Sequence, residues 1–271
     1  MENKVFIIAE IGWNHMGDMR LAEKMISSAK KAGADFCKFQ TWKVKKLVKG
    51  SWDTDGRKQI YNKAELTDEK HYMLEKICKK YNIGFFTSVF NVDDLPLLKK
   101  INKKIIKIPS HEIYNIQLIS KCLKNFKKVL ISVGASKWQE IKKISKLRNF
   151  KEKAILMHCV SSYPCEPNNL NFKKFENIKK LSPIYGYSGH YNGIDDAIVA
   201  ISNGAKYIEK HFTVSKKLPG RDNKFAILPE DMMKISKFRD FYNMSYKFKG
   251  LNVQKCEMDI YKNYRGRWSG K

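Results

Sequence analysis

Lysines and hydroxyl side chains recur in this sequence where short apolar runs end. The lysines are Lys38 and Lys107, and the hydroxyl residues are Thr87, Ser110, Ser132 and Ser188. One serine in such a place is most simply a cap, but polar groups repeated at one shared face cost desolvation unless they meet water or a ligand. Ammonium groups surrounded by hydroxyls are typical of sites that hold phosphate and carboxylate groups. The set therefore predicts an anion-binding site.

Two histidines, His190 and His211, follow the last two apolar runs of the same kind. If these runs are neighbouring strands, the two imidazoles come together and predict a divalent metal site, with water, a carboxylate or a substrate oxygen in the other positions. A lone histidine is more often structural, and the pairing is what favours a metal. His158 also ends an apolar run, but its apolar neighbours favour a hydrogen-bonded supporting role.

Three carboxylates accompany these groups, at Glu10, Glu112 and Glu209. Each of them has the right chemistry for general acid or base work. Each could instead form an ion pair with Lys38 or Lys107 and only hold that lysine in place. The sequence leaves open which glutamate is the base.

The elements that would carry these residues alternate along the whole chain. Apolar runs at residues 5–10, 36–40, 84–90, 105–108, 129–132, 154–158, 184–188 and 207–211 read as strands, with amphipathic segments between them. One such segment, residues 21–33, ends in a glycine suited to a helix C-terminus, and Thr67 suits the start of another helix. Eight strand–helix units predict parallel pairing and closure into a single (β/α)8 barrel, a TIM barrel of the α/β class.

Two long connections, residues 41–66 and 213–228, leave the carboxyl ends of the second and eighth predicted strands. Barrel enzymes keep their active sites at that end, and long loops in compact domains are usually functional. We expect one barrel domain over residues 1–250 and a short C-terminal tail over residues 251–271.

Composition limits the other possibilities. Hydrophobic residues make up 43% of the 271 residues, and no apolar run is long enough for a transmembrane helix. The first residues read as a strand, and the six cysteines lack metal or disulfide spacing, so we expect a cytoplasmic protein. The formal charge of +26 allows nucleic acid or an acidic membrane as partner. Because no nucleic-acid motif accompanies the charge, we expect no specific nucleic acid and no membrane.

Eight segments of the chain resemble the N-acetylneuraminate (sialic acid) synthase family, in that family's order. They are IAEIGWNHMGD, AGADFCKFQT, GFFTSVF, IIKIPSHEIYN, MHCVSSYP, GYSGH, GAKYIEKHFT and LPGRDNK, between about residues 5 and 240. The resemblance implies a barrel that condenses phosphoenolpyruvate with an N-acetylated amino-sugar aldehyde, such as N-acetylmannosamine, and that uses Mn2+ or Mg2+. It further implies a sialic-acid-like 2-keto-3-deoxy acid and phosphate as products.

The same resemblance implies residue roles. Lys38, Thr87, Lys107, Ser110, Ser132 and Ser188 would bind phosphoenolpyruvate, and Lys38 and Lys107 would also take part in catalysis with Glu10 and Glu112. The metal would lie on His190 and His211. Gln40, Tyr163, Glu209 and Asp222 would contact the sugar, as would Glu10.

Some features depart from the family pattern. Family members usually continue into an antifreeze-like domain that supplies an arginine to the sugar, and this sequence stops about where the linker to that domain would begin. Gly189 stands where an aspartate is usual, and Arg221 stands where a proline is usual. We expect a barrel that works without that domain, alone or as a homodimer, with Arg221 as a local substitute or a solvated loop residue.

Two alternatives remain open at this point. A related synthase that makes a legionaminic, pseudaminic or other keto-sugar acid would share the lysines and the histidines. The other alternative is a non-catalytic barrel that binds sugar or nucleic acid. Such a barrel would not need the two lysines and the two histidines in one site.

Overall fold

Eight parallel strands close into a barrel in the computed structural model, which describes residues 4–268. The strands follow one another around the barrel in chain order, from β1 to β8, and β1 pairs with β8. They are β1 Phe6–Gly12, β2 Phe36–Thr41, β3 Gly84–Val89, β4 Ile105–Ile108, β5 Lys128–Ser132, β6 Ala154–His158, β7 Tyr185–Gly189 and β8 Tyr207–His211. The predicted (β/α)8 barrel is confirmed, with β1 two residues longer than expected at its carboxyl end.

Helices lie outside the barrel between the strands. Within residues 4–268 they are α1 Met19–Lys31, α2 Arg57–Ala64, α3 Asp68–Lys80, α4 Leu95–Ile101, α5 Ile116–Asn125, α6 Trp138–Ser145, α7 Phe150–Lys153, α8 Phe175–Leu181, α9 Asp195–Ser202 and α10 Pro229–Ser245. The hydroxyl of Thr67 accepts a hydrogen bond from the backbone N–H of Lys70 and begins α3, as predicted. Gly33 follows α1 with φ +90, a conformation that favours glycine.

The long connection 41–66 is partly helical. It contains two short turns at Val44–Lys46 and Ser51–Thr54, and then α2. The rings of Trp13, Trp42 and Tyr61 pack edge to face or tilted against one another, with centroids 5.1 to 6.2 Å apart. This aromatic contact fastens the connection to the loop after β1, beside the barrel mouth.

The apolar core has two layers. The larger layer lies between the strands and the helices, while a smaller one fills the inside of the barrel. The inner layer consists of Ile8, Phe86, Ile105, Leu130, Ile155, Met157 and Tyr207. Because side chains alternate between the two faces of a strand, the residue two positions later on each strand also points into the barrel, nearer its carboxyl end. The inner layer therefore fixes which side chains line the mouth.

After α10 the chain runs through residues 246–268 with only short helical turns and mostly exposed side chains. The predicted division at residue 250 stays a prediction. Nowhere between residues 4 and 268 is there a helix long and apolar enough to cross a membrane.

Candidate active site

Two glutamates and two lysines form a buried ion-pair chain directly above the inner apolar layer. The ammonium of Lys38 lies 2.8 Å from Glu10 Oε2 and 3.6 Å from Glu209 Oε1. The ammonium of Lys107 lies 2.8 Å from Glu209 Oε2. All four side chains are at most 5% exposed. The four residues come from β1, β2, β4 and β8, so only closure of the barrel brings them together.

The electrostatics of this chain follow from burial and pairing. Burial raises the pKa of Glu10 and lowers the pKa of Lys107, because each loses the hydration of its charged form. Burial also acts to raise the pKa of Glu209, but the ammonium groups of Lys107 and Lys38 outweigh it and hold that pKa at about 2. Glu209 is therefore an ionised carboxylate that pairs with both lysines.

Hydroxyls surround the lysines. Ser188 donates to Glu209 Oε1 at 3.0 Å, and Ser88 accepts from the Lys38 ammonium at 2.8 Å. Ser110 accepts from the backbone N–H of Gly134 at 3.1 Å. Ser132 is buried two positions after Leu130 of the inner layer, so it points into the mouth. The predicted serines thus gather on the face that holds the lysines.

Thr87 does not share that face. Phe86 belongs to the inner layer, so Ser88 points inward and Thr87 points outward. The Thr87 hydroxyl lies 2.7 Å from that of Thr41, which lies 2.8 Å from His71 Nε2 on α3. The geometry places Thr87 in a hydrogen-bond chain between strands and helices, and places Ser88 beside Lys38. The structure thus separates two neighbouring hydroxyls, and the role predicted for Thr87 in binding phosphoenolpyruvate stays a prediction.

His190 and His211 face each other at the rim, with ring centroids 5.4 Å apart. His190 Nδ1 lies 2.7 Å from the carbonyl oxygen of Val160, so Nδ1 carries the proton and Nε2 the lone pair. His211 Nδ1 lies 3.2 Å from Asp222 Oδ2, but no hydrogen bond joins the two atoms. Within the described residues, no three His, Cys, Asp or Glu side chains form a metal cluster. The donor set nevertheless fits a divalent ion on two imidazoles, with water or substrate oxygens completing its coordination.

The predicted sugar contacts occupy the outer part of the mouth. The ring of Tyr163 packs against that of His190, tilted by 43° with centroids 4.1 Å apart, and Tyr163 is 55% exposed. Gln40 donates to Glu10 Oε1 at 2.6 Å, and Asp222 lies beside His211. Glu209 lies deeper than these residues, on the lysines. The outer groups therefore border one opening above the ion-pair chain.

Glu112 lies in the short helical turn after β4, half-buried, and accepts from Asn115 at 3.2 Å. Burial raises the pKa of its carboxyl group. Its hydrogen-bond partner is Asn115 and not a lysine, so its place in proton handling stays a prediction.

The two long connections meet at an ion pair. Arg221 Nη1 lies 3.2 Å from Asp55 Oδ2, and the Arg221 side chain is 49% exposed. Arg221 is thus neither buried in the site nor simply solvated, because it joins residues 213–228 to residues 41–66.

The structure adds Cys159, which the predicted site does not include. It is buried, but on the mouth side, with Sγ 3.4 Å from Ser110 Oγ and 3.9 Å from His190 Nδ1. The inward Met157 two positions earlier is the signal that could have placed it. His158 points the other way, where it bonds to the carbonyl of Leu170 at 2.7 Å and packs against Phe175. That position agrees with the predicted supporting role.

Known proteins are similar to this chain over most of its length. The NeuB family matches residues 25–245. N,N'-diacetyllegionaminic acid synthase from Campylobacter jejuni is 35% identical over 245 residues, 84% of this chain and 73% of that protein. N-acetylneuraminate-9-phosphate synthase from Drosophila melanogaster is 32% identical over 250 residues, 86% of this chain and 67% of that protein.

A solved structure extends the likeness to the whole fold. The N-acetylneuraminic acid synthetase from Leptospira borgpetersenii is 32% identical with a TM-score of 0.88, over 100% of this chain and 94% of that one. Fold, family match and identity agree over nearly the same residues. The chain therefore belongs to the NeuB family and is a phosphoenolpyruvate-condensing synthase of nonulosonic acids.

Proposed function

We propose that this barrel condenses phosphoenolpyruvate with the open-chain aldehyde of an N-acetylated amino sugar, N-acetylmannosamine or a related 2-acetamido sugar. The products are a sialic-acid-like 2-keto-3-deoxy acid and phosphate. The observation that carries the proposal is the pair of buried ammonium groups of Lys38 and Lys107, held at the base of a hydroxyl-lined mouth. Two charged lysines in a site that excludes water suit a substrate with a phosphate and a carboxylate.

In this proposal the lysines and the inward hydroxyls hold phosphoenolpyruvate. Ser110, Ser132 and Ser188 keep the predicted role, and Ser88 takes the place predicted for Thr87, because its hydroxyl lies 2.8 Å from the Lys38 ammonium. Glu209 holds both lysines in position, in addition to the sugar contact predicted for it. Before substrate binds, carboxylates already neutralise both lysines. Phosphoenolpyruvate is itself an anion, so it has to displace these carboxylates, and the ion pairs rearrange when it binds.

The reaction forms a carbon–carbon bond and a carbon–oxygen bond and breaks the C2–O bond to phosphate. C3 of phosphoenolpyruvate attacks the aldehyde carbon, whose oxygen takes up a proton and becomes an alcohol, while positive charge develops at C2. Water adds at C2 and loses its first proton, which balances the one taken up by the alcohol. Phosphate then leaves with the electrons of the C2–O bond, and the second proton of the water goes to the phosphate as the C2 ketone forms. Glu10 and Glu112 are the carboxyls we assign to these proton movements, since burial raises the pKa of both.

His190 and His211 would hold a divalent metal, Mn2+ or Mg2+, in keeping with the usual metal dependence of NeuB family enzymes. When bound, such an ion supplies Lewis-acid polarisation of a carbonyl oxygen. The chain's own part is to orient the imidazoles: the Val160 carbonyl keeps the proton of His190 on Nδ1 and so directs Nε2 toward the opening.

The sugar would lie over the rim, against Tyr163, Gln40 and Asp222. A 2,4-diacetamido sugar of the legionaminic type is the second candidate, because the synthase of that acid from Campylobacter jejuni is 35% identical to this chain. The buried ion-pair chain would serve a synthase of either sugar. The side chains at the rim therefore decide which sugar the enzyme accepts.

Phosphate release from phosphoenolpyruvate with Mn2+ and a panel of aldehyde sugars tests the proposal. The panel includes N-acetylmannosamine, its 6-phosphate, a 2,4-diacetamido hexose and mannose without the acetamido group. We expect turnover only with acetamido sugars, and the highest kcat/KM identifies the acceptor. Equal turnover with mannose would contradict the acetamido specificity, and phosphate release that needs no sugar would contradict the condensation. Sedimentation of the same protein tests the predicted homodimer.

A further inference from the structure

A second buried ion pair lies behind the two histidines, on the outer side of the strands. Lys210 stands between the inward residues Glu209 and His211, and its ammonium donates to the carboxylate of Asp196 on α9 at 2.7 and 2.9 Å. The same ammonium donates to the backbone carbonyl of Tyr191 at 2.8 Å. Lys210 is 2% exposed and Asp196 is 1% exposed. The pair plays no part in the chemistry proposed above.

The carboxylate of Asp196 occupies the space that a side chain at residue 189 would need. A Cβ atom added to Gly189 would lie 2.3 Å from Asp196 Oδ2 and 2.5 Å from the ring of Tyr187. Gly189 has no positive φ, so close approach, and not backbone conformation, requires the glycine. Tyr187 donates its hydroxyl to Asp196 Oδ2 at 3.0 Å and fixes the carboxylate from the other side. Gly189 and Asp196 are therefore a matched pair.

These contacts hold the backbone on both sides of His190. Gly189 packs against the Asp196 carboxylate, and Tyr191 is tied through its carbonyl to Lys210. Lys210 is also the residue before His211. One ion pair thus links the chain at both histidines, from a face that no substrate reaches.

We propose that Asp196 and Lys210 are positioning residues that set His190 and His211 relative to each other, with Gly189 left without a side chain so that the carboxylate can approach. This inference rests on the proposed function, in which the two histidines hold the metal. Burying a charge pair is no better for stability than filling the same space with apolar groups. Groups outside the first set of ligands orient metal-binding side chains, and here the ion pair would do so through the backbone at Gly189, Tyr191 and Lys210.

Asp196→Asn is the direct test, since it keeps the shape and removes the charge. We expect Mn2+ affinity, measured by calorimetry, to weaken about 10- to 100-fold. Phosphoenolpyruvate affinity without metal should stay unchanged, because Lys38 and Lys107 do not contact Asp196. Asp35→Asn is the matched control. It weakens the partly buried Arg239–Asp35 ion pair of 2.7 Å, which joins α10 to the residue before β2, and should leave Mn2+ affinity as in the unchanged protein.

A carboxylate moved back to the strand tests the matched pair. Gly189→Ala alone should disrupt the site, because the new methyl group meets the Asp196 carboxylate. In Gly189→Asp combined with Asp196→Ala, the edge of the Tyr187 ring, which would lie 2.5 Å from the new Cβ, has to turn aside. The new carboxylate then lies beside Lys210, and we expect at least tenfold recovery of the Mn2+ affinity that Asp196→Ala alone loses. This double variant also serves if Asp196→Asn does not fold.

Mn2+ affinity in Asp196→Asn equal to that of the unchanged protein would overturn the inference. The inference would also be overturned if the double variant regained thermal stability but not Mn2+ affinity. The Asp196–Lys210 pair would then stabilise the fold without orienting the histidines. If the protein without substitutions binds phosphoenolpyruvate but no Mn2+, the assignment of the metal to His190 and His211 is wrong. That result differs from the two outcomes above, which concern only Asp196 and Lys210.

Discussion

Lys107 and Glu209 bond to each other across the full width of the barrel. Their strands, β4 and β8, are four places apart in a closed ring of eight, yet Nζ and Oε2 are 2.8 Å apart. A long lysine and a glutamate that meet at the barrel axis leave no room for an open pore. The Lys107 ammonium therefore lies at the bottom of the mouth, at the innermost point that a substrate could reach.

Lys107→Ala should abolish tight binding of phosphoenolpyruvate. Removing a charge-assisted partner from a buried anion costs about 2–5 kcal/mol. Calorimetric titration with phosphoenolpyruvate measures the loss, with Lys99→Ala on α4 as a control that removes an equal charge from the surface. Lys38→Ala should behave like Lys107→Ala. Unchanged affinity in both variants would rule out the anion site.

Ser88→Ala and Thr87→Val should separate in their effects. Ser88→Ala removes a mouth hydroxyl and should weaken phosphoenolpyruvate binding by about 1 kcal/mol, roughly fivefold. Thr87→Val should leave that affinity unchanged and lower the free energy of unfolding by about 1–3 kcal/mol, because the buried hydroxyl of Thr41 loses a partner. Calorimetry and urea unfolding on both variants give the comparison. The reverse pattern would return Thr87 to the site.

His211→Ala should lose the divalent metal. Metal analysis of protein prepared without chelator, followed by Mn2+ titration, measures the change against the unchanged protein, with His158→Gln as a histidine control outside the mouth. We expect Mn2+ binding to weaken by at least about tenfold, as imidazole ligands are removed from a two-histidine site. Equal metal content in His211→Ala and the unchanged protein would refute the assignment. If activity is lost while the metal is retained, His211 contacts the substrate and not the metal.

Arg221→Ala should raise KM for the acetamido sugar and leave phosphoenolpyruvate affinity alone, the pattern of lost uniform binding. Because Arg221 pairs with Asp55, Asp55→Asn should raise the same KM less, by freeing the loop without removing the arginine. Steady-state kinetics on both substrates measure these changes. Unchanged kinetics in Arg221→Ala would leave the arginine with a loop-fastening role only.

Acid should destabilise the fold between about pH 6.5 and pH 4. Burial lowers the pKa of His15 and of His158 to about 4, while the unfolded chain keeps values near 6.5. In that interval the unfolded state binds more protons, so the free energy of unfolding falls as pH falls, by about 3 kcal/mol per histidine at most. Urea unfolding at several pH values measures the slope, and His158→Gln should make it shallower. An identical slope would contradict the assignment to His158.

The sequence by itself determined the architecture and most of the residues at the mouth. Eight alternating apolar and amphipathic segments specify a parallel barrel, since each strand must bury both faces and each helix one. The position of Lys38, Lys107, His190 and His211 near strand ends then follows from chain order, because all parallel strands end at the same face.

Only the tertiary structure decided which neighbours share a face and which charges pair. A strand buried on both sides shows no polar–apolar alternation, so the run GFFTSV could not reveal that Ser88 points inward and Thr87 outward. The contact of Lys107 with Glu209 depends on closure across the barrel. The contact of Asp196 with Gly189 depends on how α9 packs against β7 and β8. Distances between side chains distant in sequence are set by strand register and helix packing, which no local pattern encodes.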